Sequence, residues 1–305
     1  MIYDKIDNKQ MLSQITNNLE FLYVEKANIE KDDASICIVK GNERTPVPVA
    51  SINCLLLGPG TTITHRAVEM LTDARCTVVW CGTELRAYYA TGYEKNRSSK
   101  NLLKQIEYFS DTEKHIEVAR KMYEKRFPQM SFVGMDIKEM RGLEGLRMKE
   151  IYSEWSEKTE VQWNGRYTGI GDFAGQDDIN KLITVGNQIL YHCCRAAIHT
   201  LGYSPAIGFI HTGRMDSFTF DIADLYKTDV VIPTAFETAE CLSGGLQKED
   251  LAEFRKDIYV KMKECKLLKQ ILSDLLMLFD ESEDMVGLWN GNNEIVSGGT
   301  NYGTK

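Results

Sequence analysis

The change in hydrophobic periodicity near Tyr93 constrains the fold of this chain more than any other feature of its sequence. Before it, short runs with β character are separated by turn-like gaps. After it, apolar residues recur at three- and four-residue steps, as on amphipathic helices. We therefore predict an α+β protein with a small N-terminal β-rich domain at 1–93 and a larger, mainly α-helical C-terminal domain at 94–280. Residues 281–305 are rich in acidic residues and glycine, which predicts a flexible tail.

Local signals place individual elements along these two regions. The predicted strands are 21–24, 34–40, 45–49, 51–57, 76–81 and 85–91. Gly41-Asn42 indicates a hairpin between two of them, and Pro46 with Pro48 places the returning strand at a sheet edge. The predicted helices are 64–74, 99–109, 112–126, 136–157, 178–201, 221–226, 233–241 and 248–280, the last with a break.

Composition argues against several classes of protein. The chain has 305 residues, 43% of them hydrophobic, which is enough to bury an ordinary globular core. The sequence contains neither a long apolar run nor a signal-peptide pattern, so we predict a cytoplasmic protein with no membrane anchor. The eight cysteines form no CxxC pair and lie in apolar segments, which predicts reduced core thiols. The net charge of -8 argues weakly against nucleic-acid binding, so local charge must decide that question.

The segment from His211 to Lys227 carries the first indication of chemistry. His211 precedes Asp221 by ten residues, and Asp221 precedes Asp224 by three, so both carboxylates would project from one face of a helix. Carboxylates beside a fixed imidazole are ligands for divalent metals. Spacing alone leaves two other interpretations open. Asp221 could cap a helix whose first turn favours Asp224, and His211 could be a core histidine bonded to a backbone carbonyl.

Glu144 falls within the apolar stripe of the predicted helix 136–157. That stripe consists of Met140, Met148, Ile151 and Trp155. A buried carboxylate is costly unless it is paired. Glu144 could therefore form a salt bridge with Arg141 or Arg147, each within one turn, or it could be the third ligand of a metal shared with His211 and the two aspartates.

Four motifs in a fixed order make this chain similar to a known family. They are RGLEG around Glu144, WNGR at 163–166, GYSPAIGFIHTG at 202–213 and FDIADLYK at 220–227. The chain resembles the universal CRISPR adaptation integrase, a metal-dependent DNA endonuclease of spacer acquisition, and specifically its subtype I-E branch. The similarity extends over nearly the whole length, including LLLGPGTTITHRAV and VVWCGTELRAYYATG in the strand-rich part.

The resemblance implies a β domain that forms homodimers and a helical catalytic domain that binds Mg²⁺ or Mn²⁺. The implied metal ligands are Glu144, His211 and Asp224. Asp221 matches an acidic position that supports the same catalytic site. The implied reaction inserts foreign DNA fragments as new spacers into a CRISPR array, when the 3' hydroxyl of a fragment attacks a phosphodiester of the repeat.

The same resemblance implies partners made of DNA and protein. DNA contacts are expected from Arg166, the last residue of WNGR, and from Arg214, which directly follows GYSPAIGFIHTG. They are also expected from Arg86 and Phe173, which stand near arginine and aromatic positions of the family. Two homodimers would flank a dimer of a small ferredoxin-like partner in a heterohexamer that binds double-stranded prespacer fragments and the CRISPR repeat. Two alternatives stay open, namely a metal-dependent structure-specific nuclease of DNA repair and a non-catalytic DNA-binding scaffold.

Overall fold

The computed structural model describes residues 19–33, 35–49, 52–74, 76–82, 88–92, 99–167 and 173–280. Contacts divide the chain into two compact units. One unit consists of the described residues up to Lys104 together with Ala196–Tyr203 and Asp280, and the other of the described residues within Gln105–Arg195 and Ser204–Phe279. The predicted domain boundary, the predicted tail and Arg86 fall outside the described residues and stay predictions.

The N-terminal unit contains two four-stranded sheets, as far as its residues are described. The strands are β1 (Leu19–Val24), β2 (Asn28–Asp32), β3 (Ser35–Lys40), β4 (Glu43–Pro48), β5 (Ile52–Leu57), β6 (Thr62–Ile63), β7 (Thr77–Cys81) and β8 (Tyr88–Thr91). The first sheet has the order β1-β5-β7-β8, in which β1, β5 and β7 are parallel and β8 is antiparallel to β7. The second has the order β4-β3-β2-β6, in which β6 pairs parallel with β2 and the other pairs are antiparallel.

Strand β5 lies between two parallel neighbours, and its sequence is apolar almost throughout. Strands in such a position are covered on both faces and form continuous hydrophobic runs. Leu55 and Leu56, which point to opposite faces, are both fully buried. Helix α1 (His65–Asp73) adds Ala67 and Leu71 to the buried cluster that contains Leu55. The core of this unit therefore forms around β5.

The second sheet confirms the predicted hairpin. Strands β3 and β4 pair antiparallel across Gly41, whose φ of +62° is in the left-handed region that favours glycine. Strand β4 carries Pro46 and Pro48 and lies at the sheet edge, as predicted. Strands β2 and β6 are not among the predicted strands. Strand β2 offers only one apolar side chain, the buried Ile29, and β6 is two residues long, so neither shows an alternating pattern.

Helical spacing in the rest of the chain is confirmed by the structure. The helices are α2 (Lys100–Ser110), α3 (Thr112–Arg126), α4 (Ile137–Thr159), α5 (Asp178–Thr200), α6 (Ser217–Asp224), α7 (Ile232–Glu240), α8 (Lys248–Glu264) and α9 (Leu267–Leu278). The predicted break in the last long helix lies at Lys266, whose φ is +49°. The predicted start of a helix at Asp221 is wrong, because α6 begins four residues earlier. A π-helical stretch, Lys227–Val231, precedes α7.

The cysteines are all free thiols, but they are of two kinds. Six are buried as predicted, namely Cys37, Cys54, Cys76, Cys81, Cys193 and Cys194. Cys241 and Cys265 are exposed, so the prediction of core thiols is wrong for these two. Each directly follows the last residue of a helix, α7 or α8, where the apolar face of the helix ends. The helices that the structure describes include none that is long and apolar enough to span a membrane.

Candidate active site

The loop between α5 and α6 carries His211 and is anchored by Phe209. The ring of Phe209 is buried and packs against Phe218 and Phe279, with centroid distances of 5.9 and 5.6 Å. The turn before it is tight, because a Cβ atom on Gly208 would lie 2.3 Å from the carbonyl oxygen of His211. Only glycine fits there. His211 is thus held by a fixed turn, as the apolar residues around it predict.

Asp221 lies inside α6 and reaches back to this loop. Its carboxylate accepts hydrogen bonds from the backbone N–H groups of Phe209, Ile210 and His211 at 2.6, 3.1 and 2.8 Å. The ring nitrogen Nδ1 of His211 lies 2.7 Å from Asp221 Oδ1. The interpretation of Asp221 as a helix cap is therefore wrong. Because an ionised carboxylate only accepts hydrogen bonds, the imidazole proton lies on Nδ1, and Nε2 is available for a ligand.

The hydrogen bond to Asp221 raises the pKa of His211 above the ordinary histidine value. Burial opposes this change, and the negative charge of Asp224 adds to it. The protonated imidazole is therefore more stable in the folded chain than in a free histidine. Below this raised pKa, a metal ion that binds His211 has to displace a proton from the ring.

Asp224 lies one turn after Asp221 and belongs to a second network. Its Oδ1 lies 2.5 Å from Lys227 Nζ, and its Oδ2 lies 3.8 Å from Arg126 Nη1. Lys227 also donates a hydrogen bond to the hydroxyl of Tyr191 at 2.7 Å. Burial by itself raises the pKa of the Asp224 carboxyl, but the positive charges of Lys227 and Arg126 outweigh burial and lower it. Asp224 is therefore an anion at neutral pH.

Glu144 projects from α4 toward the same arginine. Arg126 Nη1 donates to Glu144 Oε1, and the Tyr123 hydroxyl donates to Oε2 at 3.2 Å. The partner of Glu144 thus comes from α3 and not, as one interpretation had it, from the neighbouring turns of α4. Arg126 and Tyr123 were not predicted from the sequence, where they stand 18 and 21 residues from Glu144. No local spacing rule connects residues that far apart.

The donor atoms of the three predicted ligands suit a hard divalent cation. In the described part of the chain, no three Asp, Glu, His or Cys side chains are grouped closely enough to hold a metal ion among them. Glu144 and Asp224 nevertheless share one positive group, the guanidinium of Arg126. That guanidinium marks a position between the two carboxylates where a cation is stabilised. Two carboxylates and an oriented imidazole are a donor set that fits Mg²⁺ or Mn²⁺.

Two of the arginines near His211 face an open cleft. A cavity of about 310 Å³ is lined by Arg141, His211 and Arg214, together with Ile210, Thr212, Ser217 and Phe220. Both arginine side chains belong to exposed residues. Guanidinium groups are suited to bidentate contacts with phosphate oxygens. The structure therefore brings the predicted DNA contact Arg214 next to the predicted metal ligand His211.

The other predicted DNA contacts are placed differently. Arg166 Nη1 donates to Asn180 Oδ1 at 2.6 Å, and the amide nitrogen of Asn180 donates to the Gly165 carbonyl at 2.9 Å. Part of the Arg166 guanidinium is thus used to hold the WNGR segment against α5. Phe173 is partly buried, and Arg86 lies outside the described residues.

Comparison with known proteins shows relatives along most of the chain. The family model described as CRISPR associated protein Cas1 matches residues 21–137 and 128–268. A CRISPR-associated endonuclease Cas1 2 of Thermus thermophilus is 38% identical over 309 residues, which cover 97% of this chain and 94% of the relative. A protein of the same description from Chlorobaculum tepidum is 38% identical over 252 residues, which cover 82% of this chain and 85% of the relative.

Solved structures agree with the sequence comparison. The crystal structure of a TtCas1–DNA complex matches with a TM-score of 0.71 at 38% identity, and the match covers 86% of this chain and 97% of that one. The resemblance that the four motifs indicate is confirmed at the level of the family. This chain belongs to the Cas1 family of CRISPR-associated proteins.

Proposed function

We propose that this chain is a divalent-metal-dependent DNA endonuclease and integrase that inserts foreign DNA fragments as spacers into a CRISPR array. Membership of the Cas1 family, relatives described as endonucleases and a related protein solved with DNA support the proposal. The observation that carries it is the side-chain arrangement in the helical unit. There the guanidinium of Arg126 is shared by the carboxylates of Glu144 and Asp224, and Asp221 orients the imidazole of His211. On the four sequence motifs we assign the chain to the subtype I-E branch.

In this proposal Glu144, Asp224 and His211 Nε2 hold Mg²⁺ or Mn²⁺, and Asp221 orients the imidazole. A bound divalent ion polarises the scissile phosphate and stabilises charge on the leaving oxygen. The lowered pKa of Asp224 keeps this ligand ionised, so no proton has to leave before it binds. Asp221 holds the proton of His211 on Nδ1, so that the Nε2 lone pair faces the ligand.

The exposed arginines of the cleft, Arg141 and Arg214, bind backbone phosphates of the DNA on either side of the reacting group. Two nucleophiles can then use the same site. Water attacks the phosphorus in hydrolysis and gives nuclease activity, whereas the 3' hydroxyl of an incoming fragment attacks it in integration. In both cases a P–O bond to the attacking oxygen forms and the P–O bond to the leaving oxygen breaks. The attacking oxygen gives up its proton to water, and the leaving oxygen takes a proton from water.

We extend the proposal to the assembly on the basis of the motifs. The N-terminal β unit dimerises, and two homodimers flank a dimer of a small ferredoxin-like partner. Mass measurement in solution, with and without that partner, tests the assembly. A dimer alone and a heterohexamer in the mixture are expected, and a chain that stays monomeric in both conditions would exclude this arrangement.

The site is tested by Glu144→Ala, His211→Ala and Asp224→Ala in a strand-transfer assay with the partner, a repeat-containing duplex and Mg²⁺ or Mn²⁺. Each variant should lose transfer while its circular dichroism spectrum stays unchanged. Glu150→Ala is the matched control, because Glu150 is an exposed carboxylate on α4 that pairs with Arg147. Full transfer by any of the three variants would remove that residue from the site. Cleavage of DNA without transfer would favour the repair nuclease, and binding without either reaction would favour the scaffold.

A further inference from the structure

Arg126, the last residue of α3, is the least exposed cation of the site, and the proposed reaction gives it no step of its own. Its side chain is 5% exposed. Nη1 donates to Glu144 Oε1 and lies 3.8 Å from Asp224 Oδ2, while Nη2 lies 3.1 Å from the sulfur of Met148. The guanidinium also lies over the ring of Phe127, 5.0 Å from its centroid. The side chain is thus held from several directions with its charge between two carboxylates.

A divalent ion would need the same oxygens. Mg²⁺ binds carboxylate oxygens at about 2.0 to 2.1 Å, inside the hydrogen-bonding distance of a guanidinium. A guanidinium has donors only, so it cannot become a ligand of the ion. Two positive groups between Glu144 and Asp224 would also repel each other strongly in a buried position. Lys227 does not raise this conflict, because it contacts the other oxygen of Asp224, Oδ1.

We propose that Arg126 is a built-in competitor of the metal ion. Its guanidinium keeps Glu144 and Asp224 paired until a divalent ion displaces it from between them, and the cost of this displacement sets the metal affinity. The inference rests on the proposed metal site and adds a specificity-determining residue to it. Weakly attracted monovalent ions fail to displace the guanidinium, whereas a doubly charged ion competes for both carboxylates at once.

The test measures Mn²⁺ affinity of the full-length protein by electron paramagnetic resonance, which does not depend on activity. In Arg126→Met, a neutral and unbranched replacement, Mn²⁺ should bind roughly tenfold more tightly or better, because the repulsion and the competing contacts are gone. Arg141→Met is the matched control, since it removes the same charge from the neighbouring cleft. A gain in Arg126→Met that is absent in Arg141→Met supports competition. An unchanged or weaker affinity, or an equal gain in both variants, overturns it.

Thermal unfolding gives a second readout. In chelator, Arg126→Met should melt below the unsubstituted protein, because two partly buried carboxylates lose the cation that they share. Added Mn²⁺ should then raise its melting temperature by more than it raises that of the unsubstituted protein. If Arg126→Met does not fold, Arg126→Gln replaces it, since the glutamine amide is neutral and still donates to a carboxylate. Arg126→Gln should likewise melt below the unsubstituted protein in chelator and gain more in melting temperature from Mn²⁺.

The measurements separate this inference from the proposed function. Glu144→Ala is titrated with Mn²⁺ alongside the other variants. If the unsubstituted protein binds no Mn²⁺ through Glu144, the proposed metal site and the role of Arg126 both fail. If it does bind Mn²⁺ through Glu144 but Arg126→Met gains no affinity, only the role of Arg126 fails.

Discussion

The buried carboxylate of Asp221 decides how the neighbouring histidine can act. Asp221 is fully buried, and it accepts bonds from three successive backbone N–H groups as well as from His211 Nδ1. Asp224, one turn later, instead contacts Lys227 and Arg126. Spacing along the sequence gives both aspartates the same helical face and therefore cannot separate their roles. The difference arises from the loop that folds back onto the first turns of α6.

Asp221→Asn should lower the pKa of His211, because a neutral amide replaces the carboxylate whose hydrogen bond raises it. A raised pKa in the folded state adds stability below the pKa of unfolded histidine, and this contribution is lost as the pH rises through the folded value. The free energy of unfolding should therefore be higher for the unsubstituted protein than for the variant, and the difference should be larger at about pH 6 than at about pH 9. NMR titration of the His211 ring and denaturant unfolding across the same pH range check both expectations.

His65, an exposed residue at the start of α1, is the internal control for the NMR measurement. An identical titration of His211 in the two proteins would show that Asp221 does not govern the protonation of the imidazole. A stability difference that does not vary with pH would mean that Asp221 acts only through the backbone bonds of the loop.

Glu144 shows how far residue-level reasoning extends. The cost of burying a carboxylate predicts a partner for Glu144, and the structure confirms that it has one. The identity of the partner could not be predicted, because Arg126 comes from another helix and meets Glu144 only when α3 packs against α4. The interpretation as a metal ligand stays a prediction, and the experiments above test it.

Among the elements, hydrophobic periodicity predicted most helices and strands because their apolar faces are also their buried faces. The start of α6 is the informative exception. One of the open interpretations makes Asp221 a helix cap, because aspartate favours that position, but its side chain is needed inside the helix, where it satisfies the N–H groups of 209–211. Hydrogen bonds to a distant loop thus outweigh the preference of aspartate for the cap position. Residue spacing along the sequence does not reveal such hydrogen bonds.

Two helical glycines should respond to alanine with opposite signs. On α5, a Cβ atom at Gly186 would lie 2.7 Å from Val231 Cγ1 and 3.2 Å from Phe254 Cζ, so Gly186→Ala should destabilise the protein by about 1 to 3 kcal/mol. On α4, a Cβ atom at Gly142 would meet nothing within 4 Å, so Gly142→Ala should stabilise it by about 1 kcal/mol through helix propensity. Urea unfolding of both variants measures the two changes. If both substitutions changed the free energy of unfolding in the same direction, the close approach of α5 to the π-helical stretch and α8 would be contradicted.

For the molecule as a whole, the α+β class predicted from periodicity is confirmed, and the unusual feature is charge. Acidic residues number 44 against 36 Lys and Arg, yet we propose a DNA partner. Net charge alone would repel DNA at long range, so attraction has to come from local groups such as Arg141 and Arg214 in the cleft. Composition could not predict this, because it does not record which charges share a surface.

Arg214→Ala should weaken DNA binding and reduce the salt dependence of affinity. Each phosphate contact that is lost lowers the slope of log affinity against log salt by about 0.9 for duplex DNA, because fewer counterions are released. Fluorescence anisotropy with a labelled duplex at several salt concentrations measures the slope. Arg44→Ala is the control, since Arg44 lies on the edge strand β4 and is exposed. If Arg214→Ala keeps the slope of the unsubstituted protein, Arg214 does not contact phosphate.

The two exposed cysteines give the molecule built-in attachment points for spectroscopic probes. Thiolates react with maleimides, and burial raises the pKa of Cys54 and Cys194, which keeps such thiols protonated and shielded from reagent. Cys241 and Cys265, just past the ends of α7 and α8, are accessible and should react first. A fluorophore or spin label could thus be placed on the helical unit without introducing a new cysteine, and one conservative replacement, Cys241→Ser or Cys265→Ser, would leave a single labelled position.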